Sequence, residues 1–237
     1  MTRRRWIADE VSGNRAALVG DHAQHLGRVL RAQVGQSMEI VADGVVRLGM
    51  IRSVREARVE FELTEEIVPS TLPDVSLLLA IFKFDRLEWA IEKCTELGVR
   101  RIVPVIARRT GAHLAAAAPK RVERWQRLVQ QAAEQSRRTA VPEISLPVKL
   151  EDAVVETARL RLLLAETEKQ QSLLETLEAN RTSQSLLLAV GPEGGWTEDE
   201  IALFTREGWI STSLGDTILR AETAAMAATA IAFSVLS

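Results

Sequence analysis

The sequence predicts an α/β protein in two parts: a small β-rich domain over residues 1–70, and a mainly parallel sheet with helices on both faces over residues 74–237. Three observations carry this. Short strand patterns with turn signals fill the first seventy residues, and a Pro/Ser/Thr segment without apolar period (Pro69, Ser70, Thr71, Pro73) follows as the domain boundary. Beyond Asp74, apolar runs alternate with helical periodicity.

In the first part, Asp21 is placed to cap a short helix through Arg31, with Leu26, Val29 and Leu30 on one side. Strands at Ser37–Ala42 and Val45–Ile51 flank Asp43-Gly44, a hairpin signal because a type I′ turn needs positive φ at both central residues. Arg58–Leu63 alternates with period two, so a small barrel with one helix fits. In the second part, Val75–Ile81 is a continuous apolar run suited to a strand covered on both faces. A helix over Asp85–Leu97 follows. Asp85 and Glu88 have capping spacing, Leu87, Ile91, Cys94 and Leu97 share a face, and Gly98 stops it. Further strands are predicted at Arg101–Ile106, Leu160–Ala165, Ser185–Val190 and Trp209–Leu214, and helices at Pro119–Arg138, Gln170–Ala179, Thr197–Glu207 and Ala221–Leu236.

Composition narrows the function. Of 237 residues, 46% are hydrophobic and 26% charged, an ordinary globular balance. Cys94 has no partner for an intramolecular disulfide, and neither His22 nor His113 has neighbours at metal-ligand spacing, so no metal is expected. No apolar stretch is long enough to cross a bilayer and the first ten residues do not look like a leader, so the expected location is cytoplasmic. The net charge of -2 hides a gradient: residues 71–150 carry 14 Lys/Arg against 8 Asp/Glu, residues 151–237 carry 6 against 14. The arginines from Arg100 to Arg138 can form a phosphate-binding surface or simply a solvated helix face.

Ligands of open α/β sheets bind outside the carboxyl ends of the strands, where two loops are unusual. Gly191-Pro192-Glu193-Gly194-Gly195 joins a strand to a helix opened by Thr197 and Glu200; it is neither a Walker loop nor a dinucleotide fingerprint. As a lone motif it is equally a tight connection. Leu214-Gly215-Asp216-Thr217-Ile218-Leu219-Arg220 leads into the helix starting Ala221-Glu222, where Glu222 serves either chemistry or the positive helix end.

Taken together, FKFDRLEWAIEKCTELGV, RRIVPV, AAEQSRRTAVPEI, LLLAVGPEGGWTEDEI and SLGDTILRAETAA, with HLGRVLR near the N-terminus, closely resemble the RsmE family of bacterial small-subunit rRNA methyltransferases in the SPOUT superfamily. The resemblance spans nearly the whole chain. It implies a PUA-like RNA-binding β domain followed by a SPOUT domain whose C-terminus is threaded into a trefoil knot. It also implies a homodimer and methylation of N3 of one uridine in 16S rRNA, the substrate within a small-subunit particle. The implied donor, S-adenosylmethionine, would be held mainly by backbone of Leu164, Ala165 and Glu166, of Gly191, Pro192, Glu193, Gly194 and Gly195, and of Leu214, Gly215, Ile218, Leu219 and Arg220. A ribose 2′-O-methyltransferase of the same fold and a non-catalytic assembly protein are the alternatives.

The chemistry needs a donor and nucleophile held in line and a proton removed from the uracil imide. Arg220 is the candidate for stabilising charge on the uracil oxygens, with Glu222 or Glu193 as proton acceptor. Candidate RNA contacts are His25, Arg28, Arg31, Lys83, Arg86, Arg121, Arg124, Gln135 and Arg138. In the helix from Pro119, Val122, Trp125, Val129, Ala132, Ala133 and Ser136 are expected inward. Three positions depart from the family pattern: Thr217 stands where arginine is usual, Trp196 where phenylalanine is commoner, and Phe84 where glycine is usual.

Overall fold

The computed structural model describes residues 5–67, 73–136, 138–183 and 185–236. Two compact units divide them: one takes the described residues of 1–71 with 133–141, the other those of 72–132 and 142–237. The segment expected as a domain boundary lies outside the described residues, except for Pro73.

The first unit contains β1 (Trp6–Ile7), β2 (Glu10–Ser12), β3 (Arg15–Val19), α1 (Gly20–Gln24), β4 (Ser37–Ala42), β5 (Val45–Arg55) and β6 (Arg58–Ile67). Its sheet runs β1-β4-β5-β6-β3-β2 and curls into a half-barrel around Trp6, Leu18, Leu26, Ile40, Ile51 and Phe61. The β4–β5 hairpin turns through Asp43 and Gly44 at φ 51° and 78°, the conformation that the dipeptide predicts. The predicted Asp21–Arg31 helix differs. Gly20 starts the helix one residue early, so Asp21 falls inside its first turn, and a π-helical turn takes over at His25–Val29. The wider turn buries Leu26 but leaves Val29 and Leu30 exposed, and Arg31 ends it at φ 51°.

The second unit holds β7 (Asp74–Ala80), α2 (Phe84–Leu97), β8 (Arg101–Ile106), α3 (Ala112–Ala117), α4 (Val122–Gln135), β9 (Glu143–Ile144), β10 (Val148–Lys149), α5 (Leu150–Ala153), β11 (Leu160–Leu164), α6 (Leu173–Ala179), β12 (Ser185–Val190), α7 (Glu198–Arg206), β13 (Ile210–Thr212) and α8 (Ala221–Leu236); the unit boundary falls inside α4. Every strand pairing is parallel, in the order β10-β8-β7-β12-β11-β13, with β9 also beside β8. Consecutive Leu77, Leu78 and Leu79 in β7 are all fully buried, as expected for a strand covered on both faces.

Several elements depart from the sequence reading. The helix predicted over Pro119–Arg138 follows a separate α3, opens as a 3-10 turn at Ala118–Arg121 and runs as α4 from Val122 to Gln135; its inward residues Trp125, Val129, Ala132 and Ala133 are buried as expected. α6 starts at Leu173 behind a Ser172 N-cap and not at Gln170. Asp85 lies in the first turn of α2, since Phe84 is already helical and Lys83 is the N-cap. β13 is shorter than predicted because Trp209 turns inward, donating its indole N–H to the Val154 carbonyl at 2.9 Å and packing edge-on to Phe204. α8 lies against α2, where the Thr229 hydroxyl reaches Cys94 Sγ at 3.6 Å. Burial pushes that thiol up to about 12. Among the described residues no helix is long and apolar enough to cross a membrane.

Candidate active site

Parallel pairing brings the carboxyl ends of neighbouring β12, β11 and β13 to one edge, so the loops after Val190, Leu164 and Thr212 meet there. Together they wall a cavity open to solvent on one side. Leu164, Val190, Ile201, Leu214 and Leu219 are among its aliphatic lining residues, and the polar ones include Glu166, Lys169, Glu193, Ser213 and Asp216.

One wall, the turn 191–196, is braced on every side. Gly195, at φ 70°, donates its N–H to the Pro192 carbonyl at 2.8 Å. A Cβ at Gly191 would come within 3.1 Å of Trp196 Nε1, so any larger residue there needs the indole to shift by a few tenths of an ångström. That indole donates to the Leu164 carbonyl at 3.2 Å and packs edge-on to Phe204, with ring centroids 5.0 Å apart. Arg109 Nη1 donates to the carbonyls of Gly194 and, at 3.3 Å, Trp196. Beyond the turn, Thr197 and Glu200 form the predicted capping box, and Glu200 Oε1 also accepts the Arg108 N–H at 2.7 Å.

The opposite wall is held more lightly. Ser213 Oγ accepts the Gly215 N–H at 3.1 Å, and Gly215 adopts φ 116°. From Gly215 to Ile218 the chain is exposed, Ile218 at 81%.

Charge gathers beside the cavity. Glu193, in its wall, accepts from Arg86 Nη1 at 2.7 Å, and Arg86 Nε stands 3.7 Å from Oε1 of Glu222 in the first turn of α8. Glu222 is 3% exposed, and its Oε2 meets no hydrogen-bond partner among the described residues. One guanidinium thus faces two carboxylates.

A family model described as an RNA methyltransferase domain matches residues 69–233. The Ribosomal RNA small subunit methyltransferase E of Rickettsia conorii is 33% identical over 218 residues, covering 90% of this chain and 87% of that protein. Its counterpart in Mycobacterium bovis is 34% identical over 228 residues, covering 92% and 85%. The chain belongs to the small-subunit ribosomal RNA methyltransferase E family. Solved structures are similar to it over nearly the whole chain. The Neisseria gonorrhoeae enzyme bound to S-adenosyl methionine has a TM-score of 0.85 at 28% identity, covering 96% of this chain and 95% of that one. A Legionella pneumophila protein with bound SAM gives 0.84 at 30% identity, covering 100% and 97%.

Against this methyltransferase E framework, the positions named from sequence separate into groups. Leu164, Ala165, Glu166, Gly191, Pro192, Glu193, Gly194, Gly195, Leu214, Gly215, Ile218 and Leu219 all line the cavity. Arg220 does not; it is exposed, and its carbonyl accepts the Ala224 N–H at the start of α8. Glu222 is also outside the cavity wall, reaching it only through Arg86 and Glu193. Arg121 and Arg124 both pair with Glu88 on α2, and Arg121 covers the Phe84 ring at 4.7 Å, which gives that family departure a packing partner. Burial pushes the Arg138 guanidinium down to about 10. Arg28 pairs with Glu56, and the His25 ring lies 5.9 Å from that of Trp6. Lys83, Arg31 and Gln135 are exposed.

Sequence reasoning missed Arg109 and Trp196 as parts of the site. Arg109 sits three residues beyond the Arg101–Ile106 strand and Trp196 one beyond the glycine turn, both of them predicted features.

Proposed function

We propose that this chain transfers a methyl group from S-adenosylmethionine to N3 of one uridine in 16S rRNA, acting in the cytoplasm on a small-subunit particle. The observation that carries this is the cavity at the ends of β11, β12 and β13, in a family whose Neisseria gonorrhoeae member binds S-adenosyl methionine. Aliphatic and polar lining residues in one slot suit a ligand with a flat adenine and a polar amino-acid end. Residues 164–166, 191–195 and 214–219 would hold it. When bound, the donor supplies a methyl group already activated by its sulfonium.

The protein's own work is then alignment and proton handling. Glu222 or Glu193 would take the imide proton, and Arg220, at the mouth of α8, would meet negative charge on a uracil oxygen. His25, Arg28, Arg31, Lys83, Arg86, Arg121, Arg124, Gln135 and Arg138 are the proposed RNA contacts, those already in ion pairs exchanging a carboxylate for a phosphate. We further propose a homodimer and a knotted C-terminal segment, in line with the family resemblance.

Nucleoside mass spectrometry of small-subunit rRNA from a strain lacking the gene, before and after treatment with the purified protein and S-adenosylmethionine, tests the reading. N3-methyluridine at one site is expected. A 2′-O-methylated nucleoside, or no new methyl group despite donor binding, overturns it.

A further inference from the structure

Resting on that reading, we propose that Arg86 and Glu222 together form the edge that reads the target base as uracil and rejects cytosine. Glu222 Oε2 is a buried carboxylate oxygen without a partner, an arrangement that costs free energy unless a donor arrives to fill it. The neighbouring Arg86 Nε, 3.7 Å from Oε1, is too far for a good hydrogen bond, while Nη1 is anchored on Glu193 at 2.7 Å. An unused acceptor therefore stands beside an under-used donor, next to the cavity through Glu193.

The Watson–Crick edge of uracil offers the complement. Its N3–H donates, and O4 on the neighbouring C4, the position where cytosine has its amino group, accepts. Glu222 Oε2 takes the N3–H, and Arg86 donates to the adjacent carbonyl oxygen. Cytosine presents the reverse pattern, a lone pair at N3 beside an amino group, so it meets carboxylate with lone pair and guanidinium with N–H. This rejection is needed because cytosine N3 already carries a free electron pair and requires no deprotonation to react.

The step balances. The N3–H proton passes to Glu222, and the electron pair left on N3 forms the new bond to the methyl carbon. The methyl–sulfur bond breaks with its pair staying on sulfur, and Glu222 later returns the proton to water. Arg86 stabilises the negative charge that builds on the carbonyl oxygen as the proton leaves.

The test uses the full-length protein and unmethylated small ribosomal subunits carrying either uridine or cytidine at the position the wild-type enzyme modifies. Donor affinity is measured separately by calorimetry. Wild-type protein is expected to prefer uridine by about 10³-fold or more in kcat/KM, since a site built for specific polar partners penalises a mismatch heavily. Arg86→Met and Glu222→Gln should each lower kcat on uridine by about 10²-fold, shift donor Kd less than about threefold, and yield measurable N3-methylcytidine, narrowing the preference at least tenfold. Arg86→Lys, which keeps a donor, should recover part of the preference, and it carries the test if the methionine variant loses its circular-dichroism signature. Equal losses on both bases, or no N3-methylcytidine from either variant, overturn the assignment. If wild-type protein binds no donor or leaves uridine N3 unmethylated, the proposed function itself fails, a result distinct from an unchanged base preference.

Discussion

The two walls of the cavity are built on opposite principles. The 191–196 turn is fixed from inside the protein, by the Trp196 indole on Leu164, by Arg109 on two carbonyls, and by the Thr197–Glu200 box. Among the described residues, the 213–219 segment is tied only at its root, where Ser213 bonds the backbone of Gln171, Leu173 and Gly215, and then runs through four exposed residues in succession. Preorganised backbone binds without paying to be ordered, whereas a loosely held segment takes its final shape from what it touches. On the proposed reading, the braced wall would set affinity for the donor. The open wall answers to whatever arrives beside it.

Trp196→Ala should break this contrast most severely. It removes a buried aromatic ring and frees the turn from Leu164, at about 3–5 kcal/mol of stability in denaturant unfolding. A loss below about 1 kcal/mol would mean the indole is not a brace. Gly191→Ala comes next, since its Cβ must push the indole aside. Calorimetry should show donor affinity weakened by about tenfold or more, roughly 1.4 kcal/mol, and unchanged affinity would show that the turn can yield. Arg109→Met deletes two hydrogen bonds from an exposed side chain, so about 1 kcal/mol of donor binding should be lost. Ile218→Ser lies at the other extreme. On a residue 81% exposed it should move stability by less than about 0.5 kcal/mol, and because this segment would hold the donor mainly by its backbone, donor affinity should fall far less than in Gly191→Ala. A large drop in rRNA methylation from Ile218→Ser with donor affinity intact would sharpen the comparison, marking the open wall as an RNA or subunit contact.

What could be read in advance follows the range of the interactions. Arg101–Ile106, Ser185–Val190 and Ala221–Leu236 match the observed elements at both ends, because apolar runs and their punctuation are local. The Asp43-Gly44 turn and the Thr197–Glu200 box are equally local. By contrast, Asp21 and Asp85 looked like caps by spacing alone, but the backbone had already turned helical before each of them. The short β1, β2, β9 and β10 carry too few residues for a period. In the site, the glycine loops were legible as motifs. That Arg86 would join Glu193 and Glu222 was not, because the first pair is 107 residues apart and no pattern along the chain links an RNA candidate to two catalytic ones.

The central pairing of the second unit sets an order of events during synthesis. β7 aligns with β12, Asp74 opposite Ser185, so the middle of the sheet is missing one neighbour until more than a hundred further residues have been made. Such distant parallel pairing closes slowly. On the translating ribosome, β7 and β8 must wait as an unfinished, strongly apolar ledge, while the strands of the first unit, all within residues 6–67, have their partners at hand.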